Sequence, residues 1–251
     1  MGKQTGVVQI EGQVGNLSFY KSNLGHQVRM KGGVSKNKIE NDPAFQRTRE
    51  NNLEFGRAGK AVKVLRNTLR ALIQRSSDSN MTQRLVKLMM KVIHADEVNP
   101  RGLRNVIDGE SEMLQGFEFN IQSKLGTTLY APFTGTIDRV TGQLSVHVPV
   151  FNPGNMVAAP AGATHFRIVS AGAAIDFENE TYVANVNATA ELPWNGTPTA
   201  VIDLVNTVTA NSTHPLFLAL GIEFSQDVNG VKYSLNNGAF NALALVKVSG
   251  E

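Results

Sequence analysis

From Phe117 to Val248 the apolar residues fall in short runs that alternate with polar ones, and turn residues part the runs. Leu144, Val146, Val148 and Val150 alternate with Ser145, His147 and Pro149, and Phe166 and Ile168 with His165 and Arg167. Further runs cover 181–190, 199–208, 216–226, 231–235 and 239–248. A period of two is the repeat of a strand with one face buried, so this stretch is constrained to antiparallel sheet. Asn229-Gly230 is the strongest hairpin signal, because a type I′ turn needs positive φ at both central residues. Asn237-Gly238 repeats that signal one strand later. Seven or eight strands at this spacing predict a β-sandwich over residues 117–251.

The first 116 residues follow another pattern. Residues 6–31 read as a small β meander: Leu17 and Phe19 alternate with Ser18 and Tyr20, and Val28 and Met30 with Gln27 and Arg29. Gly15-Asn16 and Asn23-Leu24-Gly25 supply its turns. Val34–Asn41 reads as a polar, basic connector. Asp42 then offers an N-cap, with Pro43 at the first helical position, where a missing N–H costs nothing. At 100° per residue Phe55, Ala58, Ala61, Val62, Leu65, Leu69, Leu72 and Ile73 share one face, predicting a helix that ends near Ser76-Ser77. Asn80 with Gln83 suggests a capping box for a second helix bearing Leu85, Leu88, Met89 and Val92. Asn99-Pro100 suggests a third, short helix through Val106 and Ile107. The expectation is an α+β chain, with a basic meander-plus-helix region over 1–116 and the sandwich domain over 117–251.

Charge divides along the same line. Residues 1–104 hold 19 Lys/Arg against 8 Asp/Glu, and residues 105–251 hold 5 against 13. Arg49, Arg57, Lys60, Lys63, Arg66 and Arg70 lie on the helix face opposite the apolar stripe, and Arg29 and Lys31 add to them from the meander. Such a face contacts phosphates, docks on an acidic protein surface or is simply solvated. Aromatic residues for base stacking are not interleaved with it, which argues against single-strand recognition.

Motifs for chemistry are scarce. The chain has no cysteine, which removes disulfides and thiolate metal sites. His26, His94, His147, His165 and His214 are scattered. His147 and His165 alone would make an incomplete metal site. Asp176, Glu178 and Glu180 form the densest acidic group and could offer oxygen ligands to Ca²⁺, though without an EF-hand spacing. No Gly-rich phosphate loop or nucleophile elbow occurs. Trp194, in Leu-Pro-Trp-Asn-Gly-Thr-Pro, is placed either to plug one end of the sandwich or to anchor a sugar or a partner. No cofactor and no metal are expected, and no enzyme. The first residues lack the apolar core of a secretory signal and no run is long enough to span a bilayer, so the expectation is synthesis in the cytoplasm without a membrane span, with release inside a particle as a further option.

Three stretches carry a resemblance: Gly12-Gln-Val-Gly-Asn-Leu-Ser-Phe-Tyr20, Val28-Arg-Met-Lys-Gly-Gly33 and Phe45-Gln-Arg-Thr-Arg-Glu50. They resemble a group of bacterial and prophage-borne proteins that share a domain of unknown function. Near the end Phe224-Ser-Gln-Asp-Val-Asn-Gly230 and Phe240-Asn-Ala-Leu-Ala-Leu-Val246 fit the last strands of that group's sandwich. The resemblance implies a fold and a non-enzymatic role, with no catalytic residues to carry over.

The function expected from these features is structural: a self-assembling homo-oligomer, phage-like or part of an extracellular particle, whose basic N-terminal region docks on the acidic surface of a neighbour. The alternatives are a nucleic-acid-associated protein that binds phosphates through the basic helix, and a carbohydrate-binding sandwich that uses Trp194. A small-molecule substrate is not expected.

Overall fold

The computed structural model describes residues 2–30, 32–107 and 109–250. Its strands form antiparallel sheets and its longer helices precede the larger of them, so the fold is α+β. The chain divides into two compact units, residues 1–49 and 50–251. The expected boundary followed residue 116. The units part earlier because the helices of residues 50–94 share a core with the β body.

In the first unit β1 (Gly2–Lys3), β2 (Gly12–Val14), β3 (Leu17–Ser22) and β4 (Gly25–Met30) form a sheet in the order β1-β4-β3-β2. The turns are the expected ones, with positive φ at Gly15 and Gly25. Val14, Leu17 and Met30 share one face with Phe19 and Val28. The residues expected to form a plain connector instead form α1 (Lys36–Asn41). Ser35 caps it by accepting the Lys38 N–H at 3.3 Å, and Lys36 and Glu40 pair one turn apart. None of the described residues of this unit is buried.

The second unit is layered. Asp42 and Pro43, the last part of the first unit, open a 3₁₀ turn that leads into α2 (Gln46–Thr68), which continues into the second. The helix breaks at Leu69 before α3 (Arg70–Ile73). The Thr68 hydroxyl donates to the Val64 carbonyl at 2.9 Å, and such back-bonding bends helices. After the turn at Asp78 comes α4 (Met81–His94). Asn80 makes no capping bond there. Asp78 forms an Asx turn ahead of the helix: its carboxylate accepts the N–H of Asn80 at 2.7 Å and of Ile121 at 3.0 Å, and its carbonyl accepts that of Met81 at 3.3 Å.

Beyond two one-turn helices, α5 (Leu125–Thr128) and α6 (Pro153–Met156), the body is β. The small sheet joins β5 (Thr134–Asp138), β6 (Gln143–Val148) and β10 (Ile202–Thr207) in the order β10-β6-β5. The large sheet centres on β7 (His165–Asp176) and β11 (Leu216–Val228). β8 (Thr181–Ala188) and β9 (Leu192–Pro193) pair with β7, while β12 (Val231–Ser234) and β13 (Ala242–Ser249) pair with β11. Among the described residues nine strands follow residue 117, two more than the seven runs named from sequence, β5 and β9 being the additions.

Strand alternation sorts the large sheet into two cores. Val169, Ala171, Ala173 and Ile175 with Phe217 and Ala219 face the helices, packing on Leu65, Leu69, Leu85, Met89 and Ile93. The small residues let the helices approach the sheet closely. Phe166, Ile168, Leu218, Leu220 and Ile222 face the small sheet and meet Leu144, Val146 and Leu204. Helices, large sheet and small sheet therefore form three layers around two cores.

Three local expectations are corrected. Residues 99–107 form turns, not a helix, because side chains take up their backbone groups (below). Phe55 is exposed, and Glu54 takes the inward place in that turn, at 1% exposure. Asn229-Gly230 does close the β11–β12 hairpin with positive φ at both residues. Asn237-Gly238 does not close a hairpin: β12 and β13 each pair with β11 along different parts of its length.

Candidate interaction surfaces

The basic residues read from sequence fall into different roles. The Arg49 guanidinium donates to the carbonyls of Ile39 and Asp42 at 2.8 and 2.9 Å and secures the end of α1. Arg57 donates to the carbonyls of Gly102 and Arg104. Lys60 stands 3.7 Å from Glu180. Arg29 stacks over the Tyr20 ring, 5.4 Å from its centre, on the polar face of the first unit's sheet. Lys31 lies outside the described residues. Lys63, Arg66 and Arg70 are exposed and remain outward along α2 and α3. The basic helix face is thus partly internal scaffolding.

That scaffolding explains the loop after α4. Asp96, 2% exposed, accepts the N–H groups of Val98, Asn99 and Asn105 and the Asn99 side-chain amide, all near 2.9–3.0 Å. Burial pushes its carboxyl upward, but these hydrogen bonds outweigh burial and hold it below the ordinary aspartate value. Glu54 accepts the Gly102 N–H at 2.8 Å and its other oxygen lies 3.3 Å from the ring of His94. Donors that a helix would have bonded internally are used here by carboxylates.

Trp194 is 37% exposed, and its indole N–H donates to the Val157 carbonyl at 3.2 Å. Asp176 accepts the N–H groups of Glu178 and Asn179 and the Asn179 side-chain amide, while Glu180 faces Lys60. The acidic group is therefore an Asx turn with its oxygens engaged. His147 bonds Asp203 at 2.7 Å in the small sheet, and His165 stands in the large one. Among the described residues no cluster of His, Asp or Glu is arranged to hold a metal ion.

Where the helix layer ends at Gln74 and Arg75, the large sheet continues and leaves a cavity of about 450 Å³. Glu223 on β11 faces Arg167 on β7 across it. One carboxylate oxygen accepts from Arg167 Nε at 2.8 Å and Nη2 at 2.5 Å and lies 3.7 Å from Arg75. This ion-pair network ties two strands to the end of the helical hairpin.

One surface was not marked in the sequence. β8 pairs with β7 on one side only and ends the large sheet. All eight of its residues are exposed, including Tyr182, Val183 and Val186. The only sequence signal was that 181–188 contains no charge and no proline.

No protein-family model matches the chain, and no curated protein or solved structure matches it either. Among the described residues no helix is long and apolar enough to cross a membrane.

Proposed function

We propose that this is a non-enzymatic structural protein that assembles with copies of itself, its N-terminal unit docking on a neighbouring molecule. One observation carries the reading: the first unit has strands, turns and a capped helix, yet no described residue of it is buried. Val14, Leu17 and Met30 stay exposed on one sheet face, and Val7 and Val8 stand free in the preceding loop. Burying such a side chain contributes about 1.5–3 kcal/mol, and a sheet that leaves them all in water forgoes most of its stabilisation. A neighbouring molecule is the layer this reading supplies for that face.

Charge supports a copy of the same chain as that partner. Residues 1–49 carry 8 Lys/Arg against 3 Asp/Glu, a net of +5, whereas residues 50–251 carry 16 against 18, a net of −2. Opposite signs favour contact between the first unit of one molecule and the body of another. Sedimentation velocity across a concentration series, at about 0.1 M and about 1 M salt, tests this. The expected result is a concentration-dependent oligomer whose population falls at high salt. A monomer at every concentration and salt would refute it.

A further inference from the structure

We propose that β8 forms a two-fold contact with a second copy of this chain, the two β8 strands pairing antiparallel so that two large sheets become one. The proposal supplies a surface for the self-association proposed above and rests on that reading.

The two edges of the large sheet are treated differently. Beyond β13 the segment 116–119 closes the ladder: the N–H groups of Gly116 and Phe119 donate to Leu245 and Leu243, and Leu245 donates to Phe117, at 2.7–3.0 Å. Among the described residues β8 has no second ladder partner; a side chain alone links it to the small sheet, the Asn187 amide donating to the Val205 carbonyl of β10 at 3.1 Å. An open edge presents unpaired N–H and C=O groups, and proteins usually blunt it with lysine, proline, a bulge or a short strand. β8 has none of these. It has eight residues, and its register with β7 runs unbroken from Asp176↔Thr181 to Val169↔Ala188. At about 3.4 Å per residue it offers roughly 27 Å of free edge.

The occupant follows from symmetry and sequence. A two-fold axis normal to the sheet pairs residues of the same parity, so that both side chains of a pair share a face. Tyr182, Ala184, Val186 and Ala188 lie opposite Ile175, Ala173, Ala171 and Val169 and therefore face the helix side. With Ala184 on the axis, Tyr182 of each molecule meets Val186 of the other, an aromatic–β-branched pair of the kind that stabilises sheets. Thr181 meets Asn187, and Val183 meets Asn185. No charged residue lies within β8, so no like charges are opposed. The small Ala184 side chain permits close approach where the strands cross the axis. Shifting the axis to Asn185 would place Tyr182 on Ala188 and lose both aromatic pairs.

The absence of cysteine makes the test direct. In full-length Ala184→Cys the two Cα atoms would lie about 4.5–5.5 Å apart, inside the range a disulfide spans. Mild oxidation should give covalent dimer on the order of tenfold faster than in Asn67→Cys, a control on exposed α2. Tyr182→Lys/Val186→Lys should weaken self-association by about tenfold or more, since it opposes lysines at both pairs. Mixing it with Tyr182→Glu/Val186→Glu should restore association. If Ala184→Cys cross-links no faster than the control while sedimentation still shows an oligomer, the β8 contact is wrong and self-association stands. If sedimentation shows only monomer, both fall.

Discussion

Asp96 shows how one side chain decides a local structure. Its carboxylate serves four donors in a loop whose sequence carries a plausible helix start at Asn99-Pro100. Aspartate competes for backbone N–H groups, and a buried, fully bonded carboxylate wins over a weak helix nucleus. Asp96→Ala should lower stability by about 1–3 kcal/mol, the cost of leaving such donors without a partner, as measured by urea unfolding. The same bonding sets a pH dependence. Asp78 is half-buried and Asp96 buried, and burial pushes both carboxyls upward, yet hydrogen bonds hold both below the ordinary aspartate value, as N–H donors do for Asp176. A depressed carboxyl contributes stability that is present above its unfolded value, near 3.9, and is lost as pH falls through the folded one. Glu118 acts oppositely: burial raises its carboxyl, so acid relieves its cost. Stability should fall as pH drops below about 4, and Asp96→Asn should make that fall shallower. An unchanged slope would count against the role given to Asp96.

Among the elements, the joint between helices and sheet depends on Asn241, 1% exposed. Its side-chain oxygen accepts the Phe224 N–H on β11 at 2.9 Å, and its amide donates to the Arg75 carbonyl at the end of the hairpin at 2.9 Å. Asn120 reaches the same place, donating to the carbonyls of Ala239 and Asn241. Asn241→Ala would orphan a buried N–H on β11 and should cost about 1–3 kcal/mol, read as a lower urea midpoint. Asn241→Asp should also destabilise, because it removes the donor to Arg75. Strand and helix positions were largely legible in the sequence because they rest on apolar periodicity, and the stripe Ala58, Ala61, Val62, Leu65 is buried as its spacing requires. What periodicity could not reveal was side-chain-to-backbone bonding at long range. Asn241, Arg57 and Glu54 are polar residues whose partners lie many positions away, and Asn237-Gly238 looks locally like a turn whose flanking strands never pair. The basic face was legible as charge, but its division into scaffold (Arg49, Arg57, Lys60) and outward residues (Lys63, Arg66, Arg70) depends on which carbonyls and carboxylates the fold brings near.

At the scale of the whole molecule, stability is unevenly distributed. The body buries Phe119, Phe166, Phe217 and Phe224 with many aliphatic side chains around one shared sheet. The first unit has no buried residue among those described, only half-buried ones such as Phe19, Tyr20 and Val28. Local opening costs little where apolar burial is absent, and proteolysis follows the population of the open form when opening is fast. On the function proposed here, the order of the first unit is tied to docking: assembly supplies the layer it lacks, so the same residues should be labile in the monomer and protected in the oligomer. Trypsin has exposed targets there at Lys21, Arg29, Lys36 and Lys38. In dilute protein these sites should be cut first, leaving a resistant fragment that begins near residue 50. At concentrations where sedimentation shows the oligomer, cleavage at the same sites should slow by about tenfold or more, equivalent to roughly 1.4 kcal/mol of added protection. Protection of Lys21 and Arg29 in dilute monomer would mean that the first unit is stable without a partner, and equal cleavage in monomer and oligomer would mean that assembly does not use it.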